Sequence, residues 1–435
     1  MLNITVKFGG SSLADADQFR KVASIIKSEP LRRFVVVSAP GRRNSADTKV
    51  TDLLYQAHRT AGTDEFPAVF GAIRTRFEEI AAELGLSVDL GLDEIEKNIQ
   101  NGADTHYCAS RGEYLNARLM AEFLGRPFLD AADYIFFRED GTFDDERTQA
   151  CLSDALRDLT GAVVPGFYGS MPDGSVHTFS RGGSDITGAI VARAAGSLSY
   201  ENWTDVSGIL AADPRIVPNA RPILEVTYRE LRELAYTGAT VLHEDAIFPV
   251  RMAGIPINIR NTNAPSERGT LIRNKDTGAA APPVTGIAGK KDFTIVHIEK
   301  DMMNETPGFV FKAIEPFSRR NISIEHLPTG IDSISVVVPT AQMQDCRSEL
   351  LRDIREAVNP DVIVVENELA MIAVVGRGMV RRKGIAARVF GALAGADVNI
   401  RMIDQGSGEL NIIVGVDNCD YNKAVTALYN EFFTE

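Results

Sequence analysis

Leu2-Asn3-Ile4-Thr5-Val6-Lys7-Phe8-Gly9-Gly10-Ser11-Ser12 is the stretch from which the fold is read first. A short apolar run, stopped at once by two glycines, has the length of a buried strand rather than a helix. The texture recurs at Phe34-Val35-Val36-Val37 and at Ala162-Val163-Val164-Pro165-Gly166. Both are rich in β-branched residues. Between these runs lie helical patterns: Leu152, Ala155, Leu156 and Leu159 follow i, i+3, i+4, i+7 and make one apolar stripe. Buried strands alternating with helices predict an α/β three-layer sandwich with a mainly parallel sheet.

The chain has 435 residues, enough for two to four domains with a sizeable core. Its net charge is −13 and it has no dense run of Lys or Arg. That balance disfavours nucleic acid or an anionic membrane as partner, while leaving room for a local basic pocket. Cys108, Cys151, Cys346 and Cys419 are widely spaced, which fits a reducing cytoplasm and neither a disulfide framework nor a zinc site. The N-terminus runs straight into a strand with no signal-peptide pattern. No stretch of 18 apolar residues is present to span a membrane.

Around residue 274 the composition changes. Asn274–Val284 holds Lys-Asp-Thr-Gly, three alanines and Pro282-Pro283, a linker composition. Two copies of one pattern follow, offset by 76 residues. Phe293–Glu299 matches Leu369–Val375, and Pro307-Gly308-Phe309 matches Lys383-Gly384-Ile385. Val310, Ala313, Ile314 and Phe317 match Ala386, Val389, Phe390 and Leu393 at helical spacing. Ile322 and Ile324 match Val398 and Ile400, and Ile334–Val338 matches Leu410–Val414. Each copy reads strand, helix, strand, strand, helix, the ferredoxin-like βαββαβ order. The expected division is a catalytic domain over 1–273, a linker and first strand over 274–292, and small domains over 293–366 and 367–435. The pair resembles tandem ACT domains, which commonly bind amino acids; two purely structural α+β domains would give the same pattern.

Three clusters in the first half carry chemistry. In Lys7-Phe8-Gly9-Gly10-Ser11-Ser12 the glycines let backbone N–H groups approach an anion, and Lys7 supplies a cation for a transferring phosphoryl group. Gly-Gly after a strand also serves as a plain turn, and the chain has no Walker A loop. Ser180-Arg181-Gly182-Gly183-Ser184-Asp185-Ile186-Thr187 combines a basic residue, a glycine pair and a carboxylate before a helix. Ser184 or Asp185 acting only as a helix cap is the plainer reading. Trp203-Thr204-Asp205-Val206-Ser207-Gly208-Ile209, followed by Ala212-Asp213-Pro214-Arg215, makes a polar loop after a strand, where open α/β sheets place ligands.

Together these clusters resemble the amino-acid kinase superfamily and, within it, the aspartokinases. The family opening Lys-Phe-Gly-Gly-Thr-Ser stands here as Lys7–Ser12, with Ser11 for Thr. Gly-Arg-Gly-Gly-Ser-Asp stands as Ser180–Asp185, and Thr-Asp-Val-x-Gly-x-x-x-x-Asp-Pro-Arg as Thr204–Arg215. Val37-Ser38-Ala39, Thr51 and Arg111-Gly112-Glu113 fall in the family order, and the likeness extends through both ACT-like copies.

The resemblance implies an aspartate kinase using ATP and Mg2+, at the head of lysine, threonine and methionine synthesis. Lys7 and Asp185 would be catalytic, with Gly9, Gly10 and Ser11 cradling the phosphates. Thr204, Asp205, Asp213 and Arg215 would hold the nucleotide, and Ser38, Thr51, Glu113, Arg181 and Ser184 the L-aspartate. Arg181 suits the α-carboxylate and Glu113 the ammonium. The β-carboxylate is already ionised, so no general base is required. The six histidines, His58, His106, His177, His243, His297 and His326, then read as structural or surface residues. Mg2+ would ride on ATP oxygens, so no dedicated protein metal site is expected. An amino-acid effector, lysine or threonine, would bind Asn304, Gly308, Phe309, Glu325, Ser333 and Ile334 in the first ACT-like copy. Pairing of such copies implies a homodimer or larger assembly. Leu210 replaces a Tyr found in some members, and Asn263 a nucleotide-binding Lys. Rival readings are a glutamate or acetylglutamate kinase, or an inactive amino-acid sensor.

Overall fold

The computed structural model describes residues 2–180, 182–239, 244–274 and 281–434. The first stretch runs β1 (Ile4–Phe8), α1 (Ala16–Lys27), β2 (Arg32–Val37), α2 (Val50–Thr60), α3 (Phe66–Leu84), α4 (Leu92–Gln100), α5 (Thr105–Leu124), α6 (Ala131–Tyr134) and α7 (Asp145–Leu156). Next come β3 (Ala162–Pro165), β4 (Tyr168–Ser170), β5 (Val176–Thr178), α8 (Gly183–Ala194), β6 (Tyr200–Thr204), β7 (Glu225–Thr227), α9 (Tyr228–Tyr236), α10 (Glu244–Ala253), β8 (Ile257–Asn261) and β9 (Thr270–Arg273). The C-terminal part runs β10 (Gly286–Glu299), α11 (Phe309–Ser318), β11 (Ser333–Pro339), α12 (Thr340–Met343), α13 (Arg347–Val358), β12 (Val362–Val375), α14 (Ile385–Gly395), β13 (Met402–Asp404), β14 (Asn411–Asp417) and α15 (Tyr421–Phe433). Two compact units result. The first comprises the described residues of Met1–Ile209, Pro222–Tyr228 and Thr240–Thr277; the second those of Leu210–Arg221, Arg229–Ala239 and Gly278–Glu435.

The first unit is built on a seven-stranded sheet of order β3-β2-β1-β6-β8-β9-β7. Every adjacent pair is parallel except β8 with β9. Strand periodicity assigns its two faces. Val35 and Val37 join Phe19, Leu54, Phe70 and Leu115 in one layer, while Phe34 and Val36 join Leu152, Ile190 and Val191 in the other. Helices cover both faces, which is why these strands read as unbroken apolar runs. Each such large side chain contributes ~1.5–3 kcal/mol relative to exposure. The expected stripe on α7 holds for Leu152 and Leu156. The helix ends there, and Leu159 packs on the same layer from the turn that leads into β3.

A buried charge cluster fixes β2 against β6 across β1. Glu201 accepts from Arg32 Nε at 2.8 Å and from Trp203 Nε1 at 2.8 Å. The chain lays β1, β2 and β3 to one side, then returns to the other side of β1 with β6 and β8. This reversal is a topological switch point, and the crevice beyond the carboxyl ends of its strands is where such sheets bind ligands.

The second unit contains a five-stranded antiparallel sheet, β11-β10-β12-β14-β13. The two repeats are nested within it. The second half of β10, Phe293–Glu299, pairs with β11 and with the first half of β12. The first half of β10 pairs instead with the far half of β12, from Gly286 opposite Val375 to Lys290 opposite Met371. Each long strand therefore serves both modules, and the left-handed residues Asp292 (φ 69°) and Glu368 (φ 62°) mark the crossings. The closing strand of the second module precedes the first module in sequence. Both first helices open on a left-handed glycine, Gly308 at φ 78° and Gly384 at φ 91°, as the 76-residue offset requires. The second strand of the first module is reduced to isolated bridges at His326 and Thr329. No helix among the described residues is long and apolar enough to cross a membrane.

Candidate active site

Lys7 lies near the carboxyl end of β1, opposite Asn202 of β6 in register. Only 7 % of it is exposed. Its Nζ stands 2.6 Å from Asp185 Oδ1, in the first turn of α8. The same oxygen accepts from Asn202 Nδ2 at 2.8 Å. A buried ammonium without a counter-charge is expensive, and Asp185 supplies one. Asp185 Oδ2 has no partner among the described residues. Asn202 escaped the sequence reading because an asparagine inside a strand gives no motif; only the register opposite Lys7 reveals it.

Directly after β1 the chain makes one tight turn. Gly9 N donates to Trp203 O at 3.0 Å, and Ser12 N to Gly9 O at 3.0 Å. A Cβ on Gly9 would stand 3.6 Å from Lys7 Nζ, so the loop passes over the ammonium. Gly10 carries the close approach: a Cβ there would lie 2.8 Å from Ala39 O, while Gly41 N donates to Gly10 O at 2.8 Å. The opening amides of a helical turn lack partners within it, so with the Gly9 N–H held by Trp203 O the amides of Gly10 and Ser11 make the nest for an anion above a cation.

On the other flank stands Glu113 of α5, 5 % exposed. Asp104 caps that helix by accepting from Tyr107 N at 2.7 Å. Burial pushes the Glu113 carboxyl up to about 7, and the Ala39 N–H and the Lys7 ammonium offset only part of that rise. Its Oε2 is buried with no hydrogen-bond partner among the described residues. One turn on, Asn116 Nδ2 donates to Ser38 O at 2.6 Å, and Ser38 N donates to Phe8 O at 3.1 Å. Asn116 Oδ1 is also buried and unpartnered. The sequence reading missed Asn116, a lone amide on a helix, although it sits three residues after Glu113. Thr51 is half-buried in the first turn of α2. Ser184 packs at Gly166, whose N donates to Val37 O at 2.9 Å. Arg181, His243 and the expected linker residues 275–280 lie outside the described residues.

Beyond β6, Thr204 Oγ1 donates to Asp205 Oδ1 at 3.1 Å, and Thr262 N donates to Thr204 O at 2.8 Å. Ser12 Oγ and Thr262 Oγ1 meet at 2.7 Å, which ties the turn after β8 to the glycine loop. Asp213 and Arg215 belong to the second unit. There Arg215 Nη2 stands 2.6 Å from Asp213 Oδ2, and that guanidinium holds the carboxyl below its usual range.

Of the proposed effector residues, Asn304, Gly308 and Phe309 lie at the start of α11 and Ser333 and Ile334 open β11 opposite Glu299 and Ile298, whereas Glu325 lies farther along, its N donating to Val337 O at 2.9 Å and its carboxylate facing the Tyr236 phenol. Asn304 and Gly308 are exposed, and Glu325 and Ser333 are half-buried. Phe309 and Ile334 point into the module's core, leaving only their backbone for a ligand.

A family model for the amino acid kinase family matches residues 4–261, and an ACT-domain model matches 372–432. The chain is 39% identical over 449 residues to aspartokinase 3 of Bacillus subtilis (strain 168), covering 98% of each. Its structure is similar to that of Clostridium acetobutylicum aspartate kinase, with TM-score 0.91, 47% identity, and coverage of 99% of this chain and 100% of that one. Escherichia coli aspartokinase III is a more distant likeness. In complex with aspartate and ADP (R-state) it gives TM-score 0.74 at 26% identity, covering 99% and 100% of the two chains. In complex with lysine and aspartate (T-state) it gives 0.74 at 27%, covering 99% of each.

Proposed function

Because the chain belongs to the aspartokinases of the amino acid kinase family, we propose a residue-level reading of the reaction it catalyses. That reaction transfers the ATP γ-phosphoryl group to the β-carboxylate of L-aspartate, giving 4-phospho-L-aspartate and ADP. The β-carboxylate is ionised at neutral pH and attacks directly. Phosphoryl transfer then needs positioning and charge neutralisation more than proton transfer. Lys7 neutralises charge on the transferring group, held in place by Asp185 and Asn202. Gly9, Gly10 and Ser11 form the cradle for phosphate, Gly10 and Ser11 through their backbone N–H groups and Gly9, whose N–H is held by Trp203 O, as the turn without a side chain above Lys7. Within the first unit, Thr204 and Asp205 at the end of β6 hold the nucleotide.

Aspartate is read by groups of opposite sign. The unpaired Oε2 of Glu113 takes the ammonium, Arg181 takes the α-carboxylate, and Ser38, Thr51 and Ser184 add hydrogen bonds. A nucleotide-borne Mg2+ would be held through Asp185 Oδ2, a hard oxygen donor without a partner among the described residues, and would supply charge neutralisation on the phosphate chain. We place the division between catalytic and regulatory parts near residue 273, with ACT domains over 293–366 and 367–435. Lysine is the proposed effector, bound at the start of α11, where a helix N-terminus suits its carboxylate and Glu325 its ammonium. The assembly is proposed to be at least a dimer, the compartment the cytoplasm, and the step the first of lysine, threonine and methionine synthesis.

The observation that carries this reading is buried Lys7 paired with half-buried Asp185 beneath a glycine loop, flanked by a buried carboxylate with one oxygen unmatched among the described residues. Lys7→Ala should lower kcat roughly 10²–10³-fold while ADP still binds. Unchanged turnover in a folded Lys7→Ala enzyme would remove Lys7 from the mechanism.

A further inference from the structure

Lys7 does not meet the nucleotide as a free cation, since Asp185 already holds it at 2.6 Å. A triphosphate brings several negative charges, and a site of this kind gathers cations around them. A second ammonium stands at the rim of the same loop. Lys21 lies in the second turn of α1, the helix that follows the glycine turn, and is exposed. Helical side chains lean toward their own N-terminus, which here is the phosphate end.

Lys21 Nζ donates to Asn263 Oδ1 at 3.2 Å, and Gln18 Nε2 donates to the same oxygen at 3.3 Å. Asn263 is held in turn, its N donating to Asn261 Oδ1 at 2.8 Å. Its neighbour Thr262 meets Ser12 of the glycine loop at 2.7 Å. One turn therefore joins the anion loop to Lys21. Among the described residues Lys21 has no carboxylate partner: Asp17, one helical turn earlier, is taken by Arg20 at 2.6 Å. Gln18 Oε1 is buried with no partner among the described residues, a second sign that this polar group is incomplete by itself.

We propose that Lys21 is a nucleotide-binding residue: its ammonium exchanges the long bond to a neutral amide for the phosphate chain of ATP. A charge-assisted bond is about twice as strong as a neutral one, so the exchange is favourable. Asn263 and Gln18 then act as the parking position that keeps the ammonium at the rim of the loop. This rests on the kinase reading of the same loop.

The test measures ADP binding by calorimetry and steady-state kinetics with both substrates. Lys21→Ala should weaken ADP and raise KM for ATP by about tenfold, leaving kcat and KM for aspartate within about twofold, and should flatten the salt dependence of ADP binding. Adding Asn263→Lys to Lys21→Ala returns the ammonium from the other side of the same hydrogen bond and should recover most of the lost affinity. Unchanged ADP binding in Lys21→Ala overturns the proposal. So does an equal loss for both substrates with a lowered Tm that Asn263→Lys does not repair, since that marks a structural role. Direct ADP binding keeps this test separate from the kinase reading, whose own failure would be ADP binding without aspartate phosphorylation.

Discussion

Glu113 shows the tension in this site at the scale of one residue. Its carboxyl is buried and raised to about 7, so the charged form is disfavoured before substrate arrives. In the free protein the folded state holds this proton more tightly than the unfolded chain does. The stabilisation is present below the unfolded value near 4.5 and is lost as pH rises through about 7, by up to ~1.4 kcal/mol per pH unit. Aspartate binding needs the opposite protonation state. KM for aspartate should therefore rise up to about tenfold per unit as pH falls below about 7. Glu113→Gln should flatten that profile and raise KM for aspartate roughly tenfold to a hundredfold, through loss of a charged hydrogen bond worth ~1.5–3 kcal/mol. The same variant should melt no lower than the parent at pH 7.5 without ligand. A clear drop in ligand-free Tm, or an intact pH profile, contradicts this account of Glu113. Lys7, Asp185 and Glu113 were legible because each sits in a dense motif. Asn202, Asn116 and Lys21 were not, because a polar residue on a regular element gains meaning only from what folding sets opposite it.

At the scale of the element, the glycine loop works because two backbones touch. Gly10 has no room for a Cβ beside Ala39 O, 2.8 Å away, and Ala39 also donates the N–H that Glu113 accepts. Gly10→Ala should thus disturb both substrate pockets at once. The expected result is a fall of ~1–3 kcal/mol in stability with an activity loss of about a hundredfold at temperatures where the protein stays folded, as displacement of about 1 Å can produce. Activity that tracks only the folded fraction would show that the loop tolerates the shift. The strands of the parallel sheet were readable as apolar runs, and the two repeats as a constant offset. The nesting of the repeats was not readable. Gly286–Lys290 and Phe293–Glu299 form one continuous run in sequence, and only pairing shows that they serve different modules.

At the scale of the whole molecule, a catalytic unit with a switch-point crevice accompanies a pair of ACT-type modules in one chain. Lysine should lower aspartate kinase activity in a saturable way and raise Tm by mass action on the folded state. Glu325→Gln should weaken that response about tenfold while leaving activity without lysine unchanged. No response in rate or Tm to lysine, or equal inhibition of Glu325→Gln, removes lysine from the α11 site. The linker was legible as a change of composition near residue 274; the transfer of Leu210–Arg221 and Arg229–Ala239 to the second unit was not, because nothing in their composition differs from the catalytic half. The most direct test of the account is acyl-phosphate formation, trapped as the hydroxamate, with ATP and either L-aspartate or L-glutamate. The account predicts product with aspartate, at least a hundredfold less with glutamate, and near-complete loss with aspartate in Lys7→Ala. Equal rates with both amino acids, or product unaffected by Lys7→Ala, would contradict it.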